Sequence, residues 1–193
     1  MNFLKKLLNI PIKESKEVPK QAVNLALDDL FVHYFIEKGG KFLYCQQRNE
    51  VSENLKFILQ ENNWKGVTLT DDNLSVFVDH KINMHDHFQP EIPVLISCEH
   101  LIADTGNILF SSNQLKSVKL SNMPLNFIVY ATTSQLVKNM GEGLTGIKVN
   151  NKKAIPTNIS AIKSFNLNKK EDSFLNYGNS NAKNLYLLLL EDL

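Results

Sequence analysis

Asn184–Leu190 reads NLYLLLL. Six of its seven residues are apolar, with no alternation of apolar and polar positions. A run this short cannot cross a bilayer, which needs about 20 apolar residues. An unbroken apolar run is what a strand requires when both faces are covered, the situation of a central strand in a parallel sheet. The reading of this stretch therefore favours an α/β protein.

The first half of the chain supports that class. Val23, Leu27, Leu30, Phe31, Tyr34 and Phe35 recur with a helical period over 21–38, and Gly39 and Gly40 end the pattern. Lys41 to Cys45 reads as a strand, and Ser52 to Asn63 as a helix with Ser52 as its cap. Gly66 to Thr70 reads as a short strand and Leu74 to Val78 as a further one. Helices alternating with strands imply parallel pairing. In the middle, Ile92 to Ser97 and Phe127 to Ala131 read as buried strands, and Ser134 to Met140 as a helix ended by Gly141 and Gly143. Lys163 to Asn184 is polar and reads as a long loop. The expected architecture is α/β, with a mostly parallel central sheet and flanking helices.

The chain has 193 residues and is 43% hydrophobic, enough for one domain with a sizeable core. The expected division is an N-terminal arm or short amphipathic helix over 1–20 and an α/β domain over 21–193. In the arm, Leu4, Leu7 and Leu8 lie at helical spacing, so it can dock on the body or on a partner. Its apolar stretch is too short for a signal peptide and no cleavage site follows, so the cytoplasm is the expected location. A net charge of +1 and a single arginine, Arg48, argue against nucleic-acid binding. Cys45 and Cys98 are too few for a cubane iron–sulfur cluster, which takes about four thiolates, and both read as reduced core residues.

The tract Ile96–Ser112, ISCEHLIADTGNILFSS, places two apolar strands around Asp104-Thr105-Gly106-Asn107. It reads either as a tight hairpin turn or as a ligand-facing loop with free backbone N–H groups, a hydroxyl and a carboxylate. Other clusters carry weaker signals. Asp79, His80, His85, Asp86 and His87 are good ligand types, but their spacing matches no standard metal motif and a solvated edge explains them. Glu99 and His100 could serve acid–base chemistry, yet successive strand residues point to opposite faces. Gly141, Gly143 and Gly146 lack the spacing of a phosphate-binding loop.

The hairpin tract resembles the signature of the lactate-utilisation (LUD) domain family, Ala-Glu-Thr-Gly-Thr before an apolar strand; here it stands as Ala103-Asp104-Thr105-Gly106-Asn107. Three further features are similar in order and spacing. They are the helix ending in Gly39-Gly40, the Met123-Pro124 turn before Phe127–Tyr130, and Ile155-Pro156-Thr157-Asn158-Ile159-Ser160-Ala161-Ile162. The last resembles a Gly-Pro-Ser-x-Thr-Ala-Asp-Ile tract, although Ala161 and Lys163 stand where the family has acids. The resemblance covers roughly 22–192 and implies a fold like that of sugar-phosphate isomerases and CoA transferases. It also implies a part in oxidising L-lactate to pyruvate with separate iron–sulfur subunits as partners. Those partners would carry the clusters, with no cofactor on this chain. On this reading a small anionic ligand meets Asp104, Thr105 and Gly106 together with Thr157, Asn158 and Ser160 in one cleft. The alternatives are a stand-alone enzyme on a CoA thioester, sugar phosphate or folate-like ligand, with Glu99 as the nearest candidate nucleophile, and a non-catalytic interaction module.

Overall fold

The structure is a computed structural model that describes residues 26–167 and 181–192. The expected N-terminal arm, and much of the expected long loop, lie outside the described residues. The described elements in chain order are α1 (Leu27–Glu37), β1 (Lys41–Cys45), α2 (Arg48–Glu61), β2 (Gly66–Leu69), β3 (Asn83–His85), β4 (Val94–Ser97), β5 (His100–Ile102), β6 (Asn107–Phe110) and α3 (Ser112–Leu115), followed by β7 (Asn126–Thr132), β8 (Leu136–Val137), α4 (Met140–Asn150), β9 (Ser160–Ile162) and β10 (Asn184–Leu190).

Six strands form an all-parallel sheet in the order β1-β10-β7-β4-β2-β3. The NLYLLLL strand, β10, sits between β1 and β7, and Leu185 to Leu190 are all buried. Alternate residues feed two cores. Leu185, Leu187 and Leu189 join Phe31, Phe35, Ile96, Val129 and Phe110 on one face. Tyr186, Leu188 and Leu190 join Val51, Leu55, Ile58, Phe77 and Leu95 on the other, under α2. This two-sided burial is the physical reason for the unbroken apolar run.

A second, mixed sheet, ordered β8-β5-β6-β9, covers the first face together with α1. Its inward residues Leu101, Ile108, Phe110 and Ile162 complete the first core. Its outward residues Ile102 and Leu109 pack against Ile147 of α4.

Four local expectations differ from what is observed. The 74–78 segment lies in a 3₁₀ turn, Asp72–Phe77, capped by the Asp71 side chain, because its apolar residues pack from above the sheet and do not enter it. Helix α2 starts at Arg48, so Ser52 lies within its first turns and Gln47 is the N-cap. The 134–140 stretch is a 3₁₀ turn, Thr133–Gln135, followed by β8. The helix comes after it: α4 is capped by Asn139 and contains Gly141, Gly143 and Gly146. Gly143 and Gly146 serve close packing. A Cβ on Gly146 would stand 2.7 Å from Nε2 of His100, and one on Gly143 would stand 3.1 Å from the Ile102 side chain.

Candidate functional site

The hairpin turn between β5 and β6 is a packing joint. Both Thr105 and Gly106 donate their N–H to the Ile102 carbonyl, and Gly106 has φ +63°. A Cβ there would fall 2.5 Å from the Phe35 nitrogen and 2.6 Å from the Tyr34 carbonyl carbon, so the turn lies hard against the last turns of α1. Lys38, at the end of α1, donates its ammonium to the Thr105 carbonyl and, at 2.8 Å, to Oδ1 of Asn107. Thr105 Oγ1 is enclosed without a hydrogen-bond partner among the described residues, while Asp104 is exposed. The N–H of Asp104 is spent on the Lys138 carbonyl.

The other tract meets the opposite end of the same strand. Ser160 pairs with Phe110, the N–H of Thr157 donates to Ser112 Oγ at 3.0 Å, and Asn158 Nδ2 donates to the Val118 carbonyl. Five residues of extended chain, about 15 Å, separate Gly106 from Ser111. Of the residues expected to share one cleft, Asp104, Thr105 and Gly106 thus lie together at one end of β6, and Thr157, Asn158 and Ser160 at the other. The antiparallel register of β6 with β9 holds the two groups in one sheet and at opposite ends of β6.

Glu99 is held rather than poised. Its Oε1 accepts from Ser111 Oγ at 2.5 Å, Asn113 Nδ2 at 2.9 Å and Gln114 Nε2 at 3.1 Å. Ser111 also caps α3. The carboxylate thus ties the loop after β4 to the start of α3. His100 points elsewhere, with Nδ1 3.3 Å from the Gln135 carbonyl and its ring against Gly146. Among the described residues no group of His, Cys, Asp and Glu could hold a metal ion. In the 79–87 cluster His80 Nδ1 lies 3.2 Å from Asp79 Oδ1, open to solvent, and His85 is engaged by Gln89. Cys45 and Cys98 are free and buried, and burial pushes both thiols up.

The polar groups that remain available gather at the carboxyl edge of the parallel sheet, where ligands bind in open α/β folds. The chain leaves β1 at Cys45 and enters α2 at Arg48, so the N-terminus of a fourteen-residue helix opens onto this edge. Gln46 N–H is satisfied by Glu50 at 2.7 Å. Arg48 is exposed, its guanidinium 5.8 Å from the centre of the Phe77 ring, and among the described residues it has no ion pair. Phe77 in turn packs on Tyr130, near the end of β7, with ring centres 4.8 Å apart. Burial raises the Tyr130 phenol; Arg48 draws it down, and Asp192 and Cys45 push it up.

Asp192, just beyond β10, organises the turn that follows β7. Its carboxylate accepts from Thr133 Oγ1 at 2.8 Å, Ser134 N–H at 2.8 Å and Ser134 Oγ at 2.7 Å. Partial burial opposes its ionisation, but the bonds from Ser134, Thr133 and Thr132 win and hold the carboxyl at about 2. An acid this firmly ionised fixes a turn and does not exchange protons near neutrality. Thr70 Oγ1, at the carboxyl end of β2, is enclosed with no hydrogen-bond partner among the described residues. The arrangement can bind a small anion through the Arg48 guanidinium and helix N–H groups. Sequence reading noted Arg48 only as the sole arginine. Its place after β1, at a helix start, was the signal that could have marked it.

Comparisons with known proteins agree with this fold. No curated protein matches the sequence. A solved structure, a DUF162 family protein from Deinococcus radiodurans, superposes with a TM-score of 0.61 at 13% identity, covering 87% of this chain and 99% of that chain. The family model described as the LUD domain matches residues 79–190, from the loop before β3 to the end of β10. That span is more than half of the sequence and holds the hairpin and strands β3 to β10, with β1, β2 and Arg48 lying before it, so the chain belongs to the LUD domain family.

Proposed function

We propose that this LUD-domain chain serves L-lactate utilisation as a subunit or accessory protein, binding a small carboxylate-bearing ligand at the carboxyl edge of its parallel sheet. One observation carries the reading: the chain's single arginine has no ion pair among the described residues, stands on the first turn of α2 and is braced by an aromatic ring at that edge. A guanidinium stacked on a ring keeps its N–H fork free for a bidentate carboxylate. The helix N-terminus behind it favours the same charge. Redox centres would come from iron–sulfur partner proteins.

Calorimetric titration of the full chain with L-lactate, pyruvate and acetate tests the reading. Saturable binding of lactate or pyruvate that falls at least tenfold in Arg48→Ala and partly recovers in Arg48→Lys supports it. Binding that is unchanged in Arg48→Ala, or no binding of any of the three, removes it.

A further inference from the structure

A cavity of about 460 Å³ opens at the carboxyl ends of β1 and β10, beside the start of α1. Its walls include Leu27, Asp28, Tyr44, Ser134, Leu136 and Glu191. It lies on the face of the sheet away from Arg48. Tyr44 alternates with Leu43 and Cys45, which belong to the core under α2. The walls are acidic and apolar, with no lysine or arginine among the described lining residues. The Tyr44 phenol is raised by desolvation and by the carboxylates of Glu191 and Asp28. Leu27 and Tyr44 are 38% and 43% exposed, unusually open for such residues where two strand ends meet a helix.

We propose that this cavity is the docking site of the chain's own N-terminal segment, residues 1–25. The tether comes first. The segment joins the body at Ala26, and the next two residues, Leu27 and Asp28, are themselves cavity wall. Returning Leu4 to Leu8 to the cavity closes a loop of about 20 residues, and the entropic cost of closure grows only slowly with loop length. Lys20 is six residues from Ala26, a reach of about 20 Å in extended chain. Charge is the second argument. Residues 1–25 carry five lysines against two glutamates, a net +3, and face Asp28 and Glu191, with Asp192 next in the chain. Third, the segment supplies what the exposed wall lacks: Leu4, Leu7 and Leu8 at helical spacing, with Phe3 beside them. Docking places ammonium groups among the carboxylates and covers Leu27, Tyr44 and Leu136 with apolar side chains.

Zero-length carbodiimide cross-linking of the full chain, read by peptide mass spectrometry, tests this. The expected result is amide links, in the monomer fraction, from Asp28 or Glu191 to one or more of Lys5, Lys6, Lys13, Lys16 and Lys20. The second readout is tryptic cleavage after Lys16 and Lys20, expected to be at least fivefold faster in the Asp28→Asn/Glu191→Gln variant and in wild-type protein at high salt. Both substituted side chains are exposed, so the variant is expected to retain the fold. Absence of such links together with equal cleavage rates would overturn the proposal. So would links that form only between isotope-mixed copies, which would assign the cavity to a second molecule.

Discussion

Replacing Gly106 by alanine should unfold much of what joins the two sheets. The backbone there sits at φ +63°, where a Cβ costs about 1 kcal/mol or somewhat more. The larger cost is steric. The new methyl would lie 2.5 Å from the Phe35 nitrogen and 2.6 Å from the Tyr34 carbonyl carbon, backbone atoms of α1 that cannot swing aside. Relieving that contact means shifting α1, whose Phe31 and Phe35 are fully buried. Overpacking of this kind costs about 1–3 kcal/mol and more where backbone must move. Together the loss should be about 3–5 kcal/mol, a large part of an ordinary domain's stability. Urea unfolding followed by the fluorescence of Trp64, the only tryptophan, packed edge-on to Tyr186, reads it directly. Gly141→Ala is the control: only Asn139 Oδ1, at 3.2 Å, is near. It should change stability by no more than about 1 kcal/mol. A Gly106→Ala loss near 1 kcal/mol would mean that the turn faces open space, and the packing argument would fail.

Three further outcomes follow from buried or anchored polar groups. Lys183 is 2% exposed, donates to the Met123 and Pro124 carbonyls, and burial lowers its ammonium to about 8. Because the folded value lies below the unfolded one, the unfolded chain holds more protons between about pH 8 and 10.5, and stability rises with pH across that window. The rise should be up to about 3 kcal/mol and should vanish in Lys183→Met, as measured by unfolding at stepped pH. Asp192 works in the opposite sense: its contribution is complete above about pH 4 and is lost as the pH falls through about 2. Asp192→Asn should therefore flatten the acid limb of the stability profile between those values. Ser111→Ala removes both the α3 cap and the 2.5 Å bond to Glu99. A loss of about 2–4 kcal/mol is expected in the same urea assay.

The parallel sheet was legible because burial on both faces leaves a direct mark on composition. NLYLLLL and the β1 strand end where the pattern says they do. The 133–150 region was not legible, since its glycines look like helix breakers in isolation. They are tolerated because His100 and Ile102 of the second sheet press against that side of α4, a contact invisible in local sequence. The hairpin was legible as a hairpin, with its turn at Asp104–Asn107. Sequence could not show that Thr157 and Ser160 meet the far end of β6, because strand register, not spacing, decides that. Arg48 escaped notice for a related reason. Its importance comes from the carboxyl edge formed by four strands distant in sequence, not from its own neighbours.

As the proposed anchor for a small anion, Arg48 is easy to observe, because the chain has a single arginine. In protein carrying nitrogen-15 arginine, the side chain gives a single Nε–H signal. Titration with L-lactate or pyruvate should move that signal saturably, with the same midpoint as calorimetry and no such movement on adding a neutral analogue such as lactamide. A signal that stays in place while calorimetry records binding would put the ligand elsewhere and contradict the account.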